Sequence, residues 1–220
     1  EEKDKEKEKE KEKEKEKKEE KKEVFQSLED ELLNACKFQN VKTVEQLLRN
    51  KDININVHEK VKNNLGHTPL TYACESGSLA IVELLLKDER INVNLGNVGQ
   101  TPFYYACLNS RADIAKLLLK NKDVDINLTS SSHGRTPLIQ ACSKGRIEIV
   151  REILMSGRDV NINAQCNGGK TAIEIASEKG YRSIVDLLES FLRSPSRTRE
   201  RLLEKYQCIF FYFFIVLFLF

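Results

Sequence analysis

The sequence predicts an all-α repeat solenoid of helix–turn–helix modules, about five of them when the two end caps are counted. Three observations predict it. The block Gly66-His-Thr-Pro-Leu-Thr-Tyr-Ala-Cys74, with the apolar Ile81-Val-Glu-Leu-Leu-Leu86 behind it, recurs three times in altered form. The copies are Gly99-Gln-Thr-Pro-Phe-Tyr-Tyr-Ala-Cys107 with Ile114–Leu119, Gly134-Arg-Thr-Pro-Leu-Ile-Gln-Ala-Cys142 with Ile149–Leu154, and Gly169-Lys-Thr-Ala-Ile-Glu-Ile-Ala-Ser177 with Ile184–Leu188. Their leading glycines lie 33, 35 and 35 residues apart, and self-similarity at such a period is the mark of stacked repeats. Three of the four prolines, Pro69, Pro102 and Pro137, share one register.

Taken in order, the chain opens with a tract of 11 Lys and 12 acidic residues over 1–23. Near-strict alternation puts like charges four apart, which opposes a single helix, and there is no apolar seam for a coiled coil. A solvated, disordered polyampholyte is expected, with a helical spacer or a charged partner-binding tail as alternatives. The first residue is Glu rather than Met, which suits a fragment or a processed product. Residues 27–56 read as a degenerate first module. Ser27 with Asp30 is a helix-start signal, Leu32, Leu33, Ala35 and Cys36 form one apolar face, and Val41, Val44, Leu47 and Leu48 form the next. This module lacks Thr-Pro-Leu, as a terminal repeat with one neighbour can.

The internal modules, 66–94, 99–127 and 134–163, have defined local physics. Thr68, Thr101 and Thr136 can cap a helix by accepting from an unpaired backbone N–H. Proline at the next position loses nothing by lacking its own N–H. Leu70, Ala73 and Cys74 fall on one face, small Ala73, Ala106, Ala141 and Ala176 permit close helix approach, and Gly77, Gly145 and Gly180 can end the first helix. Ile81, Val82, Leu85 and Leu86 stripe the second helix. The polar segments 57–65 and 128–133 fall on the finger side. The last module, 169–192, has Thr171-Ala172 in place of Thr-Pro and more charge, which suits a C-terminal cap. Ser194-Pro195-Ser196 reads as the boundary of a repeat domain spanning 24–194.

These residues resemble the ankyrin-repeat family. Gly-x-Thr-Pro-Leu-x-x-Ala, Gly-x-x-x-Ile-Val-x-x-Leu-Leu and Val/Ile-Asn at each module end carry the resemblance over about residues 27–192. There are departures. Thr71, Tyr104, Ile139 and Glu174 stand where the family usually has a His that ties repeats together, and Ser110 replaces the turn Gly. The resemblance implies an ankyrin-type stack with β-hairpin-like fingers, and an elongated, monomeric, non-catalytic scaffold or adaptor that binds a protein partner through finger tips and a concave face. By transfer from the family, the contact candidates are Asn64, Leu65, His67, Glu75 and Ser76 in the second module. In the third they are Asn97, Val98, Gln100, Tyr104, Leu108 and Asn109, and in the fourth Ser132, His133, Arg135, Ile139, Ser143 and Lys144. Tyr104 is the expected hot spot, because aromatics dominate interface energetics.

Composition excludes other classes. The net charge of +2 hides a neutral repeat body between the acidic-leaning tract 1–23 and a basic 193–220, so no phosphate-backbone footprint is expected and nucleic acid is not. Cys36, Cys74, Cys107 and Cys142 share a register on successive modules. Stacked helices lie about 8–10 Å apart, too far for a disulfide, so small buried thiols and a reducing, cytoplasmic compartment are expected. No CxxC pair or His-x-x-x-His spacing suggests a metal, and no catalytic or phosphate-loop motif suggests an enzyme or a cofactor. Gly168-Gly169-Lys170-Thr171 is explained by its repeat register.

Residues 195–207 read as a basic linker, and 208–220 is an uninterrupted apolar run with six of the ten Phe. About 20 residues are needed to span a bilayer. Three readings stay open: a short membrane anchor, a sequence-end artefact such as read-through, and a helix docking on an apolar partner. The first would make the chain a membrane-tethered adaptor. A fragment of a larger ankyrin-containing enzyme is the alternative of another class.

Overall fold

In the computed structural model, residues 19, 23–61, 64–97 and 99–204 are described. The readings of the Lys/Glu tract and of the apolar run 208–220 lie almost wholly outside them. The described chain holds helices α1 (residues 23–37), α2 (Val41–Leu48), α3 (Pro69–Ser76), α4 (Leu79–Leu86), α5 (Pro102–Leu108), α6 (Ala112–Lys120), α7 (Pro137–Ser143), α8 (Ile147–Met155), α9 (Ala172–Glu178), α10 (Arg182–Arg193) and α11 (residues 195–204). The strands β1 (Lys60–Val61) and β2 (Asn64–Leu65) form an antiparallel hairpin in which Lys60 pairs with Leu65. The fold is an all-α repeat solenoid built from helix pairs. It divides into two compact units, one ending at Asn92 and one starting at Val93.

Local chemistry starts each first helix. Thr68, Thr101, Thr136 and Thr171 adopt extended backbone, and each hydroxyl accepts from the N–H three residues on. Thr68 with Thr71, and Thr171 with Glu174, complete reciprocal capping boxes. Between the two helices of a module the chain must reverse through a left-handed residue. Gly77 (φ 88°), Gly145 (φ 68°) and Gly180 (φ 74°) do this, and Ser110 (φ 61°) does it without the freedom of glycine. The first module departs from expectation at its start. α1 is already helical at residue 23, so Ser27 lies inside it rather than capping it. Its turn uses Gln39 at φ 59°, and Asn40 caps α2 through the Thr43 N–H.

In the first unit α3 packs on α4, and α2 packs on α4. Leu32, Cys36, Val44, Ala73, Cys74, Ile81, Val82 and Leu85 are at 0% exposure and form its core. In the second unit the first helices pack as α5–α7–α9, and the second helices as α6–α8–α10. Ala106, Cys107, Ala115, Leu118, Ala141, Cys142, Val150, Leu154, Ala176 and Leu188 are fully buried there. The small residues at the first-helix contacts let backbones approach, as their register predicted. Cys36, Cys74, Cys107 and Cys142 are free buried thiols. Burial pushes the thiols of Cys36 and Cys142 up to about 12, because desolvation disfavours the thiolate.

Residues 195–204 of the segment read as a basic linker form a helix. Ser194 interrupts α10, and Pro195 begins α11 at the position where its missing N–H is harmless. Proline thus acts here as a starter of the next helix, not only as a stop. Thr198 and Leu202 of α11 are buried. The Thr198 hydroxyl donates to the Ser190 carbonyl at 2.9 Å. Arg199 donates to the Leu154 carbonyl at 2.9 Å and lies over the Phe191 ring, 5.0 Å from its centroid. That carbonyl is at the C-terminal end of α8, where helical acceptors have no partner of their own.

Candidate protein-binding surface

Each finger folds back on itself. In the first unit the Glu59 N–H donates to the His67 carbonyl at 2.8 Å and the Gly66 N–H to the Glu59 carbonyl at 2.9 Å. In the second unit the Ser130 N–H donates to Arg135 at 2.9 Å and the Cys166 N–H to Lys170 at 3.0 Å, while Asn97 and Gln100 pair as an isolated bridge. A Cβ at Gly66 would sit 2.5 Å from the Glu59 carbonyl oxygen, so only glycine fits the turn into the helix. These turns place the residue between Gly and Thr beside the first helix of its own module.

That residue is polar in each of the four modules that carry Gly-x-Thr, and it reaches the same part of the helix each time. His67 stacks on Tyr72, ring centroids 4.7 Å apart, with Nδ1 3.7 Å from Glu75 Oε2. Gln100 accepts from the Tyr105 hydroxyl at 2.7 Å. Arg135 donates to Gln140 Oε1 at 3.3 Å, and Lys170 donates to Glu178 Oε2 at 2.8 Å. The reach is five or eight residues along the sequence, which is the face of the first helix that looks toward the finger.

In the first unit the cluster is larger than the sequence suggested. Lys37 of α1 lies 5.0 Å from the Tyr72 ring centroid and 3.6 Å from Glu59 Oε1. Lys37, Glu59, His67, Tyr72 and Glu75 therefore join as two stacked rings framed by charges of both signs. Ser76 sits at the end of α3, where its carbonyl accepts from Gln39 at 3.2 Å. Phe38, between Lys37 and Gln39, is 75% exposed. The sequence reading missed Lys37, Glu59 and Phe38. They come from the neighbouring module or from the finger insertion, outside the repeating block. Lys170 was also missed, although its register with His67, Gln100 and Arg135 would have found it.

The remaining expected contacts are distributed as follows. The backbone of Asn64 and Leu65 forms β2, and Val98 lies outside the described residues. Asn97, Gln100, Leu108 and Asn109 are partly exposed, and Asn109 donates to the Tyr105 carbonyl at 3.2 Å. Ser132 and His133 are exposed at a finger turn, 2.9 Å apart, and Lys144 is exposed at the end of α7. Arg135 is partly exposed.

Three expectations are corrected. Tyr104, Ile139 and Ser143 are buried, at 3%, 1% and 3% exposure, so they present no contact surface. Tyr104 and Ile139 sit on α5 and α7, which pack in the row α5–α7–α9, and their register faces the next module. Glu174 holds that register on α9, the last first helix, and is exposed. Burial raises the Tyr104 phenol. The Ser143 hydroxyl is turned back onto the Gln140 carbonyl at 2.9 Å.

Among the described residues no group of His, Cys, Asp and Glu is placed to hold a metal ion, and no helix is long and apolar enough to cross a membrane. The arrangement offers hydrogen-bonding and charged side chains on a framework of helix pairs, which is recognition chemistry.

Comparison with known proteins agrees with the fold. The family described as ankyrin repeats (3 copies) matches residues 32–130 and 122–192. The chain belongs to the ankyrin-repeat family. It is also similar to the ankyrin repeat and KH domain-containing protein mask of Drosophila melanogaster, at 32% identity over 124 residues. That match covers 56% of this chain and 2% of the relative, so the chain spans only a small part of the relative's length. Ankyrin repeats are protein–protein interaction modules.

Proposed function

We propose that the chain is a scaffold or adaptor that grips a protein partner on the finger and first-helix side of its modules. The supporting observation is the register of His67, Gln100, Arg135 and Lys170. Each of these four modules spends one polar side chain at the same place beside its first helix, while the apolar positions of those helices are used by neighbouring modules. The partner chemistry that fits is a polypeptide with both charged and aromatic groups. The first unit offers the partly exposed His67 ring, which stacks on the buried Tyr72, with Lys37 and Glu75 supplying both charge signs, and Arg135 offers a planar donor fork in the second. Phe38 supplies an exposed aromatic anchor of the kind that carries interface energy.

The test begins with a partner recovered by proximity labelling on the full chain, whose binding is then titrated against variants. His67→Glu and Arg135→Glu should each weaken binding at least about tenfold, as loss of a hydrogen-bonded interface charge does. Glu83→Lys, on the exposed side of α4, should leave it unchanged. Binding that tracks Glu83 and ignores His67 and Arg135 would place the interface on the other side and end this reading.

A second reading is favoured by one observation, the apolar run 208–220. In it the same adaptor is tethered to a membrane, with the repeats recruiting a partner to that surface.

A further inference from the structure

The second helices of each unit carry a groove in the same repeat register, and the two copies differ in charge. In the first unit the groove lies between α2 and α4, about 500 Å³ in volume, and Glu45, Arg49, Lys51, Lys87 and Asp88 line it. Its charges are matched: Arg49 lies 3.6 Å from Glu45, and Lys51 lies 3.8 Å from Asp88. In the second unit the counterpart lies between α6 and α8, about 520 Å³ in volume. Lys116 stands in the register of Glu45, Lys120 in that of Arg49, and Lys122 in that of Lys51. Ser156 stands in the register of Asp88. Its hydroxyl accepts the Arg158 N–H at 3.3 Å, as the Asp88 carboxylate accepts the Arg90 N–H at 3.1 Å. The Arg158 guanidinium donates to the Asn121, Lys122 and Val124 carbonyls, as Arg90 does to those of Lys51 and Ile53. Carbonyls hold that cation in place without cancelling its charge. Among the described residues Glu152 is the one carboxylate lining this groove, and it lies 3.9 Å from Lys116. Where the first-unit groove has two carboxylates, this one has a lysine and a serine, which leaves Lys120, Lys122 and Arg158 unbalanced. The groove also has an apolar floor of Leu119, Met155 and Leu203. Leu203 is 50% exposed and comes from α11, which Thr198 and Arg199 hold in place.

We propose that the groove of α6, α8 and α11 binds an acidic amphipathic segment of a partner protein. Apolar side chains of that segment fill the floor at Met155 and Leu203, and its carboxylates meet Lys120, Lys122 and Arg158. Cations flanking an apolar floor call for the complementary pattern, an amphipathic helix laid into a groove with its charges along the rim. A phosphate backbone would leave the floor unfilled, and a lipid surface is too flat to enter the groove. This surface is additional to the finger side. It lies in the row of second helices, whereas Arg135 stands over α7 in the row of first helices. Two partners therefore do not compete for the same side chains, which is what an adaptor requires.

The experiment is fluorescence anisotropy of the full chain with a labelled peptide of Leu and Glu in an amphipathic helical pattern, and with a matched peptide carrying Lys in place of Glu. The full chain should bind the acidic peptide and not the basic one. K120E/K122E should weaken that binding at least about tenfold and flatten its salt dependence. S156D, which restores the carboxylate of the first-unit groove, should weaken it in the same direction. L203S should weaken it while leaving the salt dependence as in the parent. R49E/K87E, in the first-unit groove, should leave it unchanged. Circular dichroism of both double variants should match the parent, since Lys120, Lys122, Arg49 and Lys87 are exposed. Equal binding by K120E/K122E and the parent, or no binding by the parent, would overturn the proposal. An equal loss in R49E/K87E would replace the groove by diffuse attraction to the whole chain. Parent-like binding by L203S would remove the apolar half of the assignment and overturn it. Tighter lysine-dependent binding to phosphatidylserine vesicles or to a single-stranded oligonucleotide would overturn it in favour of a phosphate ligand.

Discussion

Asn127 and Asn161 are joined across two modules by half of a reciprocal clamp. The Asn161 N–H donates to Asn127 Oδ1 at 2.9 Å, while Asn127 Nδ2 donates to the Asp159 carbonyl at 2.8 Å. The same clamp occurs between Asn94 and the 123–125 segment at 2.7 and 2.7 Å. In the first unit Asn56 repeats it with Arg90 and Asn92 at 2.7 and 2.8 Å. One side-chain amide thus satisfies a carbonyl and an N–H two residues apart on the next module. An Asn at the end of each of the first three modules ties it to the next, in a chain that lacks the first-helix His of the family.

Asn127→Ala removes both bonds and strands a carbonyl and an N–H. The expected loss is about 1–3 kcal/mol, read as a lower urea midpoint with an unchanged slope. A midpoint within error of the parent would mean that water replaces the clamp at no cost.

Arg90 is a second tie, and the carboxylate that holds it, Asp88, titrates. Asp88 holds it with bonds of 2.9 Å to Nε and 2.7 Å to Nη2, and Arg90 Nη1 donates to the Lys51 and Ile53 carbonyls at 2.8 and 2.9 Å. The hydrogen bond from Arg90 is the main reason that the Asp88 carboxyl falls from the usual 3.8 to about 2. A carboxylate depressed in the folded state stabilises it at pH above its unfolded value, and that contribution fades as pH falls through the folded one. The parent should therefore lose stability between about pH 4 and pH 2 through this group. Asp88→Asn should be less stable at neutral pH by about 1–3 kcal/mol and flatter across the acid window. An acid limb as steep as the parent's would show that other carboxylates set it.

Ser110 occupies the register of Gly77, Gly145 and Gly180 at φ 61°, where a residue with a Cβ is strained by about 1 kcal/mol or more. Part of that is returned by the extra freedom of glycine in the unfolded chain. Ser110→Gly should raise stability by about 0.5–1 kcal/mol, visible as a higher melting temperature. A neutral or lower value would show that the serine's own contacts offset the strain.

Arg199 holds α11 by one carbonyl bond and one ring contact. Arg199→Ala should cost about 1–2 kcal/mol from the lost bond and cation–π contact. Amide hydrogen exchange should rise first in α11 and the end of α8. Unchanged protection there would mean that Leu202 alone seats the helix.

What the sequence determined is what short-range chemistry determines. Thr starts, turn residues with positive φ and apolar stripes act within one helix pair, so the starts of α3, α5, α7 and α9, their order and the buried Ala and Cys positions could be read from the letters. The ankyrin class followed from four copies in register. What only the tertiary structure decided was how each surface position is spent. Tyr104 and Ile139 share a register with Glu174, yet the first two are buried and the last is exposed. The difference is whether another first helix packs beside them, and no local pattern encodes that. The same holds for α11, whose basic letters describe a linker until Arg199 finds the open carbonyl at the end of α8. It holds equally for Lys37 and Glu59, which join His67 and Tyr72 only because the fold brings a neighbouring module and an inserted finger to the same place.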